Sequence, residues 1–133
     1  PPFENVSVDE IIERSDVISI HAPLTEETRD LFGKDEFRRM KKTAIIVNTA
    51  RGGIINEQAL VWALENGEIA GAGLDVMEQE PPVSSSLPSR SDLNLIITPH
   101  SAWSAKEARQ RLADGVAENI RAHLEGRERN VVA

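Results

Sequence analysis

The sequence predicts an α/β protein built on a parallel sheet, and three observations lead there. Short apolar runs alternate along the chain with longer amphipathic stretches. Two of the runs, Ile45-Ile46-Val47 and Leu95-Ile96-Ile97-Thr98, are nearly continuous in apolar residues, the pattern of parallel strands covered on both faces. Polar residues gather just past the ends of the runs, where open α/β sheets bind their ligands. Strand–helix alternation then implies right-handed crossovers between parallel neighbours.

Taken in order, the predicted strands cover residues 16–21, 44–48, 69–76 and 94–98. Ser7 with Glu10 makes a capping-box pattern before Ile11 and Ile12. Residues 33–40 read as a short charged helical turn. Asn56 is placed to cap a helix over 57–66, with Leu60, Ala63 and Leu64 on one face and Gly67 as its stop. Ser104 with Glu107 predicts a second capping box. It opens the longest helix, in which Ala108, Leu112, Val116, Ile120 and Leu124 recur every four residues and need a surface to cover them. Segment 80–92 breaks the rhythm with three prolines and a run of serines, and reads as a long surface loop, a kind of segment that is often functional. No internal repeat or domain linker is visible.

The bulk numbers narrow the function. Fifteen Lys and Arg stand against 22 Asp and Glu, a net charge of −7, which argues against a phosphate-backbone binder and hence against a nucleic-acid partner. A hydrophobic content of 40% is enough for a packed core. The absence of cysteine excludes disulfides and thiolate chemistry and favours a cytoplasmic location. No apolar run is long enough to span a bilayer, and no signal peptide opens the chain. Pro1 opens it, so the expectation is a processed chain or a fragment. The three histidines lie far apart, with no metal-ligand spacing. The chemistry must therefore rest on acid–base work, charge and an organic cofactor.

Four strand ends carry the candidates: His21, the stretch Asn48-Thr49-Ala50-Arg51, Asp75 and His100. An imidazole exchanges protons near neutral pH, so His100 suits general acid–base catalysis. A carboxylate beside it, with Glu80 available, favours the charged ring and fixes which nitrogen carries the proton. Without that partner, a histidine capping a strand end is the commoner case. Arg51, before Gly52 and Gly53, can hold a carboxylate through two parallel hydrogen bonds, although an Arg-Gly-Gly turn on a surface looks the same. Asp75 ends a buried strand and needs a partner; ligand contact and a turn cap are equally compatible with its position. Pro23 stops the first strand, and backbone groups after His21 can line a groove or simply leave the sheet. Trp103 is a core anchor or a pocket wall, the core being the commoner place. His123 reads as solvent-facing and without function. Gly71-Ala72-Gly73 lacks the third glycine of a dinucleotide fingerprint and reads as small residues for close packing; G-x-G-x-x-G occurs nowhere in the chain.

Four blocks, HAPLTEETRDLF, IIVNTARGGIINEQAL, GAGLDVMEQEPP and NLIITPHSAW, resemble in this order the D-isomer-specific 2-hydroxyacid dehydrogenases. The resemblance covers nearly all of the chain from Ser15 onward. It implies a catalytic trio of Arg51, Glu80 (not Glu78) and His100. Arg51 would anchor the substrate carboxylate and polarise the adjacent carbonyl, His100 would protonate the new alkoxide, and Glu80 would support the charged form of His100. It further implies a cofactor, NAD or NADP, lined by His21, Pro23, Thr49, Ala50, Arg51, Asp75, His100 and Ala102. The substrate, a small 2-keto or 2-hydroxy acid, would meet Arg51, His100 and Trp103. The stretch TPHSAW with the helix after it looks most like glycerate dehydrogenases, that is, hydroxypyruvate or glyoxylate reductases. The same turn is similar to that of NAD-sensing C-terminal-binding-protein corepressors, which makes a nucleotide-dependent binding module the rival reading, with a non-functional structural remnant as a third.

Family members are more than twice as long as this chain. The resemblance therefore implies a partial Rossmann-like, doubly wound parallel sheet lacking the N-terminal glycine-rich βαβ unit. Residues 1–103 would form the C-terminal part of the dinucleotide-binding domain. Residues 104–133 would form a helix and tail returning toward a substrate domain that this chain lacks, leaving the helix stripe partly uncovered and prone to self-association. The chain alone is expected to be inactive and its full-length parent to be a homodimer.

Overall fold

The computed structural model of the chain describes residues 3–83 and 85–132; Pro1, and Ser84 of the serine run, lie outside them. Two compact units, Pro1–His100 and Ser101–Ala133, are taken in turn.

In the first unit the apolar runs become four parallel strands in chain order: β1 (Val17–Ile20), β2 (Ile45–Asn48), β3 (Gly71–Leu74) and β4 (Leu95–Ile97). Each is shorter than the apolar run that predicts it, because pairing ends where the chain turns toward the next element. Val17 sits opposite Ile45, and Ile45 opposite Gly71. Gly71 is required by packing: a Cβ there would come within 2.6 Å of the Asn94 side chain, and the Asn94 amide is itself fixed to the Ala70 carbonyl at 2.6 Å. Gly73 has ordinary room, so close packing explains the first glycine of the pair and not the second.

The helices are α1 (Val8–Arg14), α2 (Lys34–Arg39) and α3 (Glu57–Glu65). Their starts follow the sequence signals. Ser7 and Glu10 form the reciprocal capping box, and the Asn56 side chain accepts from the Ala59 N–H at 2.9 Å, satisfying donors that a helix start would otherwise leave unpaired. Gly67, at φ 64°, lies just past α3 in the left-handed conformation that suits glycine. α2 packs against both α1 and α3. Between this layer and the sheet lies the core of Ile12, Ile18, Phe37, Ile46, Ile54 and Leu60. Arg39 bridges Asp9 and Glu13 at 2.8 Å each, which ties α2 to α1 at the surface.

The opposite sheet face differs from expectation. Val17, Ile45 and Ile96 point there and are 61%, 40% and 69% exposed. The apolar runs do encode a sheet made to be covered twice, but the helices of this unit cover only one face. Segment 80–92 is a loop, as its prolines dictate, with a short 3-10 turn at Leu87–Ser89 that buries Leu87.

The second unit is helix α4 (Lys106–Leu124) and its flanks. Its start differs from the predicted capping box. The N-cap is Ala105, with no side-chain cap. The Ser104 N–H is drawn back to the Ser101 carbonyl at 2.9 Å, so Ser104 still belongs to the preceding turn. The stripe is open as expected: Leu112, Val116, Ile120 and Leu124 are all exposed.

Candidate active site

Past β1, the chain braces itself. The Thr28 hydroxyl donates to the Pro23 carbonyl and accepts from the Thr25 N–H, both at 2.7 Å. The loop is then stitched to the one after β2 by Asp30 N–H to the Gly53 carbonyl at 2.8 Å and Phe32 N–H to the Ile54 carbonyl at 3.1 Å. Gly53 adopts φ 84° to permit this. The two loops enclose a cavity of about 490 Å³ lined by His21, Ala22, Pro23, Leu24, Thr49, Ala50 and Arg51. Four of the residues assigned to the cofactor groove (His21, Pro23, Thr49 and Ala50) thus meet in one place, with Arg51 beside them. His21 Nε2 lies 2.8 Å from the Ser19 hydroxyl. The Arg51 guanidinium folds back to donate to the Ala50 carbonyl at 2.7 Å.

Past β3 and β4 lies a second cavity, about 540 Å³, lined by apolar Met77, Pro81, Leu87, Leu95 and Ile97 and by Asp75, Glu80 and His100. The Glu80 carboxylate is held at both oxygens. Oε1 accepts from the Met77 N–H at 2.9 Å, and Oε2 lies 2.7 Å from His100 Nδ1. This commits Nδ1 to the carboxylate, so proton exchange with a ligand would run through Nε2. His100 itself has φ 51°, a left-handed backbone uncommon outside glycine and met most often at turns and functional sites. Asp75 is buried and accepts a hydrogen bond from the Thr98 hydroxyl, while its N–H donates to the Asn48 carbonyl at 2.9 Å.

The distinction between Glu80 and Glu78 is visible in their partners. Glu78 and Glu57 exchange backbone-to-carboxylate bonds at 2.8 and 2.6 Å, which occupies Glu78 at the start of α3 and leaves Glu80 to meet His100. Arg51 lines the first cavity and Glu80 and His100 the second, and the Glu80–His100 hydrogen bond joins two members of the trio directly. Ala102 and Trp103 belong to the second compact unit. Trp103 is 56% exposed, which overturns its placement as a core anchor.

His100 holds the Glu80 carboxyl below its ordinary value of 4.5, helped by the Met77 N–H and opposed by burial and by Asp75. A depressed carboxyl contributes stability that is fully present above the unfolded value and lost as pH falls through the folded one. Wild type and Glu80→Gln should therefore differ in melting temperature near neutral pH and converge once pH is taken well below 4.5. The difference will be small, since the Glu80 and His100 side chains are 38% and 44% exposed and solvent screens them. A gap that persists at low pH would show that this pair does not hold the carboxylate.

Two contributors carry no individual site role from sequence alone. Asn48 ends β2 buried, on the same face as Ile46; a polar residue continuing an inward-facing series was the available signal. Gly52 packs its backbone against the Met77–Glu78 peptide; a glycine pair allows such close approach, but no local pattern names the segment that makes it. No group of three or more His, Asp or Glu residues that could hold a metal occurs among the described residues, and none of their helices is long and apolar enough to cross a membrane.

The family described as D-isomer specific 2-hydroxyacid dehydrogenase, NAD binding domain, matches residues 2–102. A glycerate dehydrogenase of Methylorubrum extorquens is 48% identical over 96% of this chain and 41% of its own length. A glyoxylate reductase of Korarchaeum cryptofilum is 47% identical over 92% of this chain and 37% of its own. The NAD-complexed D-isomer specific 2-hydroxyacid dehydrogenase of Lactobacillus delbrueckii ssp. bulgaricus superposes with a TM-score of 0.86 at 26% identity, over 96% of this chain and 42% of that one. The chain thus spans about two fifths of the length of these relatives. With a Rossmann-like parallel sheet and a family match over most of its residues, the chain belongs to the D-isomer specific 2-hydroxyacid dehydrogenases, within their NAD-binding domain.

Proposed function

We propose that this chain supplies the nicotinamide-side half of a dehydrogenase that interconverts a small 2-keto acid and its 2-hydroxy acid, with hydroxypyruvate or glyoxylate as the keto acid. The observation that carries the reading is the Glu80–His100 pair. A carboxylate fixed at one oxygen by a backbone N–H and at the other by imidazole Nδ1 orients a proton-transfer group, and a pure binding module has no need of one.

The first cavity fits the flat end of a dinucleotide. Apolar Ala22, Pro23, Leu24 and Ala50 form walls, with His21 and Thr49 as polar neighbours, at the strand ends where such ligands bind. The chemistry supplied by a bound dihydronicotinamide is hydride donation to C2 of the keto acid. The protein's own residues do the rest. Arg51, by leaving the Ala50 carbonyl, holds the substrate carboxylate and draws charge toward the carbonyl oxygen. His100 gives its proton from Nε2 to that oxygen, and Glu80 offsets the charge on the ring. Either NAD or NADP suits these residues. The parent enzyme is a homodimer in the cytoplasm.

The test is a comparison of NADH and NADPH oxidation in the presence of hydroxypyruvate and glyoxylate. A dehydrogenase carrying this segment with a glycine-rich unit and a substrate domain should turn over, whereas the 133-residue chain should not. Turnover by the short chain would overturn the division of labour; silence of the long one, with nucleotide-dependent capture of a protein partner, would favour the binding-module reading instead.

A further inference from the structure

Asn48 and Asp75 are the buried polar or charged residues among those described, and Asn48 is 2% exposed. Its side chain spans the turn that follows β2. The carbonyl oxygen accepts from the Ala50 N–H at 3.0 Å, and the amide donates to the Arg51 carbonyl at 2.9 Å. Two backbone groups of a tight, part-buried turn are thereby satisfied by one side chain that uses both halves of its amide. Without it, each group would bear the desolvation cost of an unmade bond. The backbone carbonyl of the same residue accepts from the Asp75 N–H at 2.9 Å, a bond that no side-chain substitution removes.

We propose that Asn48 is a positioning residue for Arg51, fixing the turn from which the guanidinium reaches a bound 2-keto-acid carboxylate. The inference rests on the reading of Arg51 as the carboxylate anchor. Arg51 is exposed, and among the described residues its guanidinium is hydrogen-bonded only to its own loop, at the Ala50 carbonyl. The direction in which the guanidinium can point is therefore set by the backbone of residues 50 and 51, and Asn48 holds that backbone at both residues. A bidentate carboxylate clamp depends on that direction, and an ångström of displacement reduces transition-state stabilisation on the order of 100-fold.

The separation of the two Asn48 roles makes this testable in a full-length dehydrogenase carrying the segment, with hydroxypyruvate and NADH as probes. Asn48→Asp keeps the acceptor for the Ala50 N–H and loses the donor to the Arg51 carbonyl; Asn48→Ala loses both. The expected result is a KM for hydroxypyruvate raised about 10-fold by the first and up to about 100-fold by the second, with the KM for NADH within about twofold of wild type. If Asn48→Ala does not fold, Asn48→Asp carries the test by itself. Unchanged KM for hydroxypyruvate in the variants would overturn the proposal and leave the role of Arg51 standing. A parallel rise of both KM values, with kcat and melting temperature falling together, would overturn it in favour of a general structural role. A wild-type enzyme that reduces no 2-keto acid would overturn the anchor reading and this inference together, and is told apart because the unmutated control is the one that fails.

Discussion

Replacing His100 by asparagine in a dehydrogenase that carries this segment is expected to lower kcat by about 10²- to 10⁴-fold, the range associated with a positioned acid–base group. The affinity for NADH should survive. Asparagine suits the test for two reasons. It tolerates the left-handed backbone that His100 adopts at φ 51°, so the substitution adds little strain of its own. Its amide can still donate toward Glu80 but cannot exchange a proton near neutral pH, so geometry is kept while chemistry is removed. Steady-state kinetics with hydroxypyruvate, beside a fluorescence titration of NADH, separates the two effects. Near-normal turnover would sink the assignment of His100 as the proton donor.

Gly52→Ala should have the largest effect on stability. A Cβ at Gly52 would stand 1.8 Å from the Met77 carbonyl oxygen, 2.2 Å from its carbon and 2.8 Å from the Glu78 nitrogen. These are backbone atoms, so no rotamer change relieves the clash. The loop carrying Arg51 and the loop carrying Glu80 must separate. Overpacking of this kind costs about 3 kcal/mol, which for a domain of this size lowers the melting temperature by roughly 10 °C. The Met77 N–H that holds Glu80 moves with the loop, so turnover of the parent enzyme should fall as well. Gly115→Ala is the control: it lies within α4 and a Cβ there meets nothing within 4 Å, so it should stabilise slightly, by about 0.5–1 kcal/mol. Equal melting temperatures for the two variants would refute the packing argument.

Much of this was legible in the residues, and for identifiable reasons. The helix starts at Ser7 and Asn56 depend on atoms three residues away, so local spacing predicts them. The strands follow from runs of apolar residues, and the meeting of Glu80 with His100 follows from two parallel strands that end side by side. What could not be read depends on distant segments. Ser104 and Glu107 have the spacing of a capping box, yet a preceding turn takes up Ser104. Trp103 has the composition of a core residue and lies exposed, because burial is decided by what packs on a residue and not by its type. The Arg51 guanidinium folds back onto the Ala50 carbonyl, a side-chain direction that position at a strand end does not encode. Gly52 reads from sequence as one of a pair that permits close backbone approach, and the segment that approaches, the Met77 carbonyl, emerges only in the fold.

The strand order has a consequence for durability. β2 and β3 are hydrogen-bonded on both sides, whereas β4 is three residues long and, among the described residues, bonded on one side only. Asp75 extends from the doubly held strand, and His100 from the singly held one. Local opening samples the least-held segments first, so hydrogen exchange is expected to be faster at β4 than at the centre of the sheet. The proton-transfer pair therefore has a firm member and a loose one: Glu80 keeps its place through the Met77 N–H, and the geometry of the pair lasts only as long as the last strand remains zipped.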